Sequence, residues 1–263
     1  MLALISGRGL LPAQVAAAQD IAPLICVLAG FEPDDLDADI TFRLEQLGSF
    51  LVTLAEKGVT EVCFCGAIER PVIDPKMLDA ETRPLLPVLQ TALTSGDDAA
   101  LRGVIGLFEQ TGFVVRAAHE LAPDLVAPPG VLGIVWPSAQ MRHDAAKGAA
   151  VLAALAPMDV GQACVVGGGQ VLAIETLFGT DFMIAGLPQD MADRQAILIK
   201  GPKVGQDARA DMPTIGPATI AAAHKAGLVG VVIDAGDVIV LEQAQTVARA
   251  DELGLVLWSR TGD

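Results

Sequence analysis

This 263-residue chain is short of positive charge. Lysine and arginine together number 17, against 32 aspartates and glutamates, so the formal net charge is −15. A surface this acidic repels phosphate backbones, and nucleic acid is therefore not an expected partner. The same repulsion acts on small anions, so an anion-binding site in this chain needs a local group of cations or a bound metal.

The chain also lacks most of the motifs that would identify a common enzyme class. Its four cysteines form no CxxC pair, and Cys63 and Cys65 lie in the apolar run VCFCG, which favours a buried strand over a zinc site or a disulfide. The three histidines are scattered, with no HExxH, which argues against a zinc hydrolase. A GxSxG nucleophile elbow and a GxxxxGK[ST] phosphate loop are both missing.

Targeting and membrane-spanning segments are not predicted either. The first residues, MLALISGRGLLP, have neither the charged start nor the long apolar stretch of a signal peptide, and no run is long and apolar enough to span a bilayer. Hydrophobic residues nevertheless make up 52% of the chain, enough for a sizeable core. We therefore expect a cytoplasmic protein with reduced thiols.

Short apolar runs alternate with helical spacings in the first half of the chain, which indicates parallel βαβ units. Strands are predicted at 2–6, 24–29, 61–66 and 113–117, and helices at 13–19, 42–58 and 95–112. The expected fold is α/β, and its N-terminal domain, residues 1–128, is a Rossmann-like doubly wound parallel sheet.

The run VAPPG at 126–130 marks the predicted domain boundary, so the C-terminal domain covers 129–263. This half is predicted to be mixed α/β with hairpins at 163–175 and 230–242. The two predicted hairpins align at an offset of 67 residues. An internal duplication explains this correspondence, and so does the shared need of turns for Gly and Asp.

The stretch DARADMPTIGPATI, residues 207–220, is the most unusual in the chain. Pro213 disfavours helix before it, so the segment is predicted to be extended or looped, and an extended backbone would put Asp207, Arg209 and Asp211 on one face. Residues 194–209 hold four of the 17 cations. Carboxylates beside cations suit a Mg²⁺-bound phosphate, but a solvated loop of mutually neutralising charges explains the pattern equally well.

Weaker signals come from loops that follow predicted strands. Gly7 and Gly9 would allow a diphosphate to approach the backbone, although GxGxxG is incomplete and a tight turn explains them as well. Glu69 and Arg70 follow the third predicted strand, where ligands bind in doubly wound sheets. FGTD at 178–181 predicts a helix N-cap by Thr or Asp.

Several of these pieces together resemble one family, the UDP-2,3-diacylglucosamine diphosphatases of lipid A biosynthesis, the LpxI type. The similarity extends over essentially the whole chain, and its last motif is the most specific. The motifs that show it are LISGRGLLP (4–12), VCFCGAIERP (62–71), SGDDAALR (95–102), AHE (118–120), DVGQACVV (159–166), VLAIETLFGTD (171–181) and KGPKVGQDARADMPTIGPATI (200–220).

The resemblance implies a ligand site in the cleft between an N-terminal Rossmann-like domain and a C-terminal α/β domain. It implies Mg²⁺-dependent hydrolysis of UDP-2,3-diacylglucosamine to UMP and 2,3-diacylglucosamine 1-phosphate (lipid X). Such a lipid-linked substrate implies transient contact with the cytoplasmic face of the inner membrane, and a homodimer is plausible for the family.

The essential acid of the family corresponds to Asp211, which we expect to be catalytic and to bind Mg²⁺ together with Asp207. Lys200, Lys203 and Arg209 would then neutralise the phosphoryl oxygens. The full set of expected substrate-binding residues is Gly7, Gly9, Gly66, Arg70, Asp98, Lys200, Lys203, Arg209 and Thr214.

Three other functions are compatible with parts of the sequence. A non-catalytic nucleotide-binding or regulatory module would use the SGRG loop but leaves the 207–211 charges unexplained. A UDP-sugar transferase would also use carboxylate-bound metal, but it would release UDP in place of UMP. An NAD-dependent oxidoreductase is disfavoured by the incomplete glycine pattern.

Overall fold

The computed structural model describes residues 1–69, 73–94, 97–188, 191–203, 206–209 and 211–262. The chain divides into two compact units. Unit 1 consists of Met1–Pro123 together with the short segment Asp207–Asp211, and unit 2 consists of Asp124–Gln206 and Met212–Asp263. The first five positions of the stretch 207–220 thus belong to unit 1, although the chain on either side of them belongs to unit 2.

Unit 1 is built on a parallel sheet. Within the described residues its strands are β1 Leu2–Ser6, β2 Leu24–Leu28, β3 Ile40–Phe42, β4 Glu61–Cys65 and β5 Val114–Arg116, and its helices are α1 Leu11–Ala17, α2 Leu47–Glu56, α3 Leu86–Thr94, α4 Asp97–Gln110 and α5 Ala118–Leu121. The strand order β3-β2-β1-β4-β5, with every pairing parallel, is that of a doubly wound sheet. The predicted N-terminal fold is therefore confirmed.

The core of unit 1 follows from the helical period. In α2, Leu47, Phe50, Leu51 and Leu54 recur at helical spacing and are buried. The ring of Phe50 stacks on that of Phe42 with centroids 4.0 Å apart. Phe42 ends β3, a three-residue strand that the sequence did not predict, and it is also the first residue of the helix predicted at 42–58.

Unit 2 contains a mixed sheet. In the part of the chain that the structure describes, its strands are β6 Gly130–Val131, β7 Ala163–Gly167, β8 Gln170–Ile174, β9 Ile197–Lys200, β10 Thr214–Ile215, β11 Gly230–Asp234, β12 Ile239–Val240 and β13 Val256–Arg260, and its helices are α6 Ala139–Leu155, α7 Gly179–Ala185, α8 Pro217–Lys225 and α9 Gln243–Glu252. Six strands follow the order β6-β13-β11-β9-β7-β8. Strands β9, β11 and β13 are parallel, whereas β6, β7 and β8 pair antiparallel with their neighbours.

The first predicted hairpin is confirmed and the second is wrong. β7 and β8 pair antiparallel, and Gly168 and Gly169 both have positive φ in the turn between them. β11, by contrast, pairs with β9 on one side and β13 on the other, which leaves no free edge for the following strand. β12 pairs in parallel with β10 instead. The two segments offset by 67 residues therefore adopt different structures, which does not support a duplication.

No helix among the described residues is both long enough and apolar enough to cross a membrane.

Candidate functional site

Two loops meet at the carboxyl edge of the unit 1 sheet, the edge where doubly wound folds bind ligands. The amide of Gly7 donates to the carbonyl of Cys65 at 2.8 Å, and Arg8 and Ala67 exchange backbone hydrogen bonds at 2.9 Å. A Cβ on Gly7 would lie 2.5 Å from the carbonyl oxygen of Ala67, and one on Gly66 would lie 2.5 Å from that of Gly7. Both positions require glycine because the two loops pass in close contact.

Arg8 links three loops at this edge. Its guanidinium donates to the carbonyl of Gly30 at 2.8 Å and to the carboxylate of Glu69 at 3.3 Å, and it lies 5.1 Å from the ring centroid of Phe31. These partners follow β2 and β4, while Arg8 itself follows β1. Gly9, with φ +92°, completes the turn into α1. The contacts give Arg8 and Gly9 a structural role at the sheet edge.

Residues 207–209 and 211 lie in a turn, so the alternation of an extended strand is not adopted. The amide of Asp211 donates to the carbonyl of Asp207 at 3.3 Å, which closes the turn. Within it, the Arg209 guanidinium donates to both oxygens of the Asp207 carboxylate, at 2.9 and 2.7 Å. Arg209 also donates to Glu109, near the end of α4, at 2.6 Å. Arg209 is therefore held by two carboxylates within unit 1.

These contacts shift the pKa values of both Asp207 and Arg209. Hydrogen bonding from Arg209 lowers the pKa of Asp207 below its ordinary value, the Arg209 amide and the charge of Arg102 lower it further, and partial burial opposes them. The same pairing, first with Asp207 and then with Glu109, raises the pKa of Arg209. Asp207 is thus ionised under ordinary conditions and paired with a permanent cation.

Three buried polar side chains in unit 2 form a second cluster, the Lys200 chain. Lys200, the last residue of β9, donates from Nζ to the hydroxyl of Thr180 at 3.0 Å. Thr180 in turn donates to Oε2 of Glu175 at 3.0 Å. All three residues are only 8% exposed. Buried charges are found in folded proteins when they are compensated and hydrogen-bonded, as they are here.

Thr180 does not act as the helix cap that the sequence predicted. The N-cap position of α7 is Phe178, which makes no side-chain capping bond, and Thr180 lies inside the first turn of the helix. Its hydroxyl reaches Glu175, directly after β8, because the chain turns back between the end of that strand and the start of α7. The cap prediction is therefore wrong, and neither Glu175 nor Thr180 was singled out as a site residue by the sequence analysis.

The loop after Lys200 is held by the motif DVGQ, residues 159–162. Lys203 pairs with Asp159, and the side-chain amide of Gln206 donates to that of Gln162 at 3.4 Å. Gly161 approaches the backbone of Glu175 so closely that a Cβ would lie 2.3 Å from its carbonyl oxygen. DVGQ thus contacts both the loop after β9 and the residue that ends the Lys200 chain. The motif was visible in the sequence, but nothing in it indicated these partners.

The remaining predicted residues are distributed as follows. Thr214 lies in β10, half-buried, and its hydroxyl donates to the carbonyl of Met212 at 3.1 Å. Asp98 lies in α4, and its side chain is outside the described part of the structure. Arg70 lies outside the described residues altogether. Lys200 and Lys203 thus lie in unit 2 with different partners, Thr180 and Asp159, whereas Asp207, Arg209 and Asp211 lie in unit 1.

The carboxylates of the 207–211 segment can be compared with the ligands that Mg²⁺ requires. Both oxygens of Asp207 accept hydrogen bonds from Arg209, and a carboxylate so engaged is less available to a metal. Asp211 is half-buried and follows this ion pair in the same turn. No group of three or more His, Cys, Asp or Glu side chains among the described residues is arranged for a metal. Mg²⁺ commonly uses one or two carboxylates and completes its shell with water and substrate phosphates, so a single carboxylate fits it.

Comparison with known proteins gives consistent results along the chain. Residues 1–125 match the family model of the LpxI N-terminal domain, and residues 128–258 match that of the LpxI C-terminal domain. A relative from Caulobacter vibrioides, named UDP-2,3-diacylglucosamine pyrophosphatase LpxI, is 38% identical over 268 aligned positions, which cover 97% of this chain and 95% of the relative. The resemblance noted in the sequence is thereby confirmed, and the chain belongs to the LpxI family.

Proposed function

We propose that this chain hydrolyses the diphosphate of UDP-2,3-diacylglucosamine in a Mg²⁺-dependent reaction that yields UMP and 2,3-diacylglucosamine 1-phosphate, a step of lipid A biosynthesis. The observation on which this rests is the 38% identity to a UDP-2,3-diacylglucosamine pyrophosphatase over 97% of the chain. Because the match includes both halves of the chain, it covers the 207–211 turn as well as the Lys200 chain.

Asp211 is the proposed catalytic residue and the proposed Mg²⁺ ligand. When bound, Mg²⁺ would neutralise the phosphoryl oxygens and make the phosphorus a better electrophile. Asp211 follows an ion-paired turn, so its backbone is held by the Asp207 carbonyl while its half-buried side chain contributes a carboxylate. Asp207 stays a predicted metal ligand, with Arg209 as its present partner.

Lys200 and Lys203 are the proposed phosphate-binding cations. A chain with net charge −15 attracts a diphosphate only where cations are gathered, and these two lysines lie at the end of β9 and just after it. Burial strengthens the interaction of Lys200 with an anion, because the surrounding dielectric is lower than in water. Arg209 is proposed to act on substrate from within the 207–211 turn.

The other substrate contacts are proposed from the family motifs. Gly7, Gly9 and Gly66 would let the uridine diphosphate approach the carboxyl edge of the unit 1 sheet, where the two loops meet. Thr214, Asp98 and Arg70 complete the proposed set. The close contact of Gly7 with Ala67 accounts for the absence of a side chain at Gly7, so the substrate role rests on the motif and not on this geometry.

The proposed substrate carries two acyl chains, which suggest where in the cell the protein meets it. Each buried CH₂ contributes about 0.8 kcal/mol to membrane or apolar binding. We propose transient association with the cytoplasmic face of the inner membrane, where such a lipid resides. We further propose that two copies of the chain form a homodimer.

Product analysis tests the reaction. The purified protein is incubated with radiolabelled UDP-2,3-diacylglucosamine and Mg²⁺, and the products are separated by thin-layer chromatography. Equal amounts of UMP and 2,3-diacylglucosamine 1-phosphate are expected. Release of UDP would instead indicate a sugar-nucleotide transferase, and tight binding without turnover would indicate a non-catalytic module.

A further inference from the structure

We propose that Thr180 is a positioning residue that orients the Lys200 ammonium toward the substrate diphosphate, and that Glu175 sets the direction of the Thr180 hydroxyl. This inference rests on the proposed function, because it gives Lys200 a phosphate to bind. It goes further in assigning functional roles to two residues of the motif VLAIETLFGTD that were not among the predicted site residues.

The Lys200 chain joins three different elements. Glu175 directly follows β8, Thr180 lies in the first turn of α7, and Lys200 ends β9. The two hydrogen bonds are both 3.0 Å long, and all three residues are 8% exposed. A lysine side chain has four rotatable bonds and loses much freedom when it is fixed. Contact with a rigid neighbour in a buried site supplies that restraint.

The chemistry of the three groups permits one direction of hydrogen bonding. An ammonium only donates, an ionised carboxylate only accepts, and a hydroxyl has a single proton. The Thr180 hydroxyl therefore donates to Glu175 and presents its lone pairs to Lys200. Reversal would point the hydroxyl proton at a cation. Glu175 thus sets the direction of the Thr180 hydroxyl, and the hydroxyl oxygen restrains the position of the Lys200 ammonium.

The hydroxyl also separates two opposite charges. A direct contact between the Glu175 carboxylate and the Lys200 ammonium would make an ion pair whose net field is small. With Thr180 between them, Glu175 compensates the buried cation through one intervening group. Lys200 ends β9, and the residues after it lead into the loop that contains Lys203.

This arrangement predicts an effect on turnover larger than that of an ordinary buried hydroxyl. Removal of one preorganised donor to a transition-state oxygen typically costs roughly 10²–10³ in kcat. Loss of the group that positions such a donor is expected to cost less, about 10- to 100-fold, because the ammonium remains but samples other orientations.

The test compares Thr180→Val, which keeps the shape and removes the hydroxyl, with Thr180→Ser, which keeps the hydroxyl. Thr246→Val is the matched control, because Thr246 is also buried in unit 2 and its hydroxyl donates to the carbonyl of Leu241 at 2.7 Å. Thr180→Val is also made in a Lys200→Met background. For each variant, kcat and KM are measured with UDP-2,3-diacylglucosamine and Mg²⁺, and pyrophosphate affinity is measured by calorimetric titration.

We expect Thr180→Val to lower kcat by about 10- to 100-fold, while Thr180→Ser and Thr246→Val stay within about threefold of the parent. In the Lys200→Met background, Thr180→Val should cause no further loss, since its effect passes through the ammonium. Full kcat in Thr180→Val, or an equal loss without Lys200, overturns the inference and leaves the proposed function intact.

Two further results complete the test. If the parent protein hydrolyses no UDP-2,3-diacylglucosamine, the proposed function fails. The inference is then tested by the affinity of each variant for pyrophosphate. A tenfold weaker affinity in Thr180→Val, roughly the factor set by one misplaced cation, supports it, and unchanged affinity or no binding by the parent overturns it. If Thr180→Val does not fold, Glu175→Gln is used in its place. An amide can donate as well as accept, so the Thr180 hydroxyl would no longer be forced to donate to residue 175. Unchanged kcat in that variant overturns the inference.

Discussion

The guanidinium of Arg209 lies 2.6 Å from the carboxylate of Glu109, a residue 100 positions earlier in the chain. Arg209 also donates two hydrogen bonds to the Asp207 carboxylate. These bonds stabilise a turn that ends at Asp211. Glu109 thereby connects the proposed catalytic turn to the end of α4. A residue far away in sequence is thus hydrogen-bonded to the turn that contains Asp211.

Glu109→Gln should therefore reduce turnover although Glu109 is not expected to touch substrate. The amide keeps the shape but loses the charge, and the turn loses one of its two carboxylate anchors. We expect kcat to fall about three- to tenfold, because small displacements of catalytic groups are costly. The loss of stability should be about 1 kcal/mol or less, since both side chains are partly exposed. Steady-state kinetics and thermal unfolding measure the two effects.

Glu252→Gln is the control for this prediction, since it removes one partner of an exposed ion pair with Arg249 in unit 2. It should leave kcat unchanged. Arg209→Lys distinguishes anchoring from substrate contact, because lysine cannot bind two carboxylates with a planar fork. Normal kcat in both Glu109→Gln and Arg209→Lys would show that the anchor is unimportant.

Asp207 should contribute to stability in a pH-dependent way. The pKa of Asp207 is lower in the folded chain, mainly through Arg209, than in the unfolded chain, where it is about 4. Its contribution is therefore fully present above about pH 4 and is lost as the pH falls through the folded pKa. Asp207→Asn should cost on the order of 1 kcal/mol at pH 7, and the difference from the parent should shrink toward pH 3. A difference that does not vary with pH would contradict the ion-pair account.

Gly7→Ala should destabilise unit 1. The added Cβ would lie 2.5 Å from the carbonyl oxygen of Ala67, a backbone atom that cannot rotate away. We expect a cost of about 1–3 kcal/mol, the usual range for overpacking. Gly106→Ala is the matched control, because Gly106 lies in α4 with open space around its Cα, and alanine there should stabilise by about 0.5–1 kcal/mol. Denaturant unfolding measures both, and equal stabilities would contradict the packing described.

Removal of divalent metal should abolish turnover. A single carboxylate with a substrate diphosphate holds Mg²⁺ only moderately, so EDTA should strip it readily. Activity is expected to fall below detection in excess EDTA and to return when Mg²⁺ exceeds the chelator. Hydrolysis that continues in EDTA would remove the metal from the proposed mechanism.

The sequence predicted those elements whose signal is local. Strands β1, β2, β4 and β5 appear as apolar runs, and the hairpin of β7 and β8 is marked by its glycines. β3 is three residues long, too short for a period to be visible. The second predicted hairpin failed for a non-local reason, since β11 is enclosed by β9 and β13 and the partner of β12 lies 25 residues upstream.

The same limit applies to the candidate site. The sequence identified Asp207, Arg209, Asp211, Lys200 and Lys203 by their type and spacing, but spacing does not reveal partners. Glu109 pairs with Arg209 across 100 residues. The role of Thr180 was also hidden, because a threonine at the start of a helix is usually a cap and its contact with Lys200 depends on how two elements of the fold pack.

The most direct test of the account is the turnover of UDP-2,3-diacylglucosamine by Asp211→Asn, measured with saturating Mg²⁺ beside the control Asp237→Asn, an exposed aspartate in the turn after β11. The substitution keeps the size of the side chain and removes its charge at a half-buried position, so the thermal unfolding midpoint should change little. We predict a fall in kcat of at least about 100-fold, with the control within about twofold of the parent. Undiminished release of UMP by folded Asp211→Asn would contradict a catalytic role for Asp211.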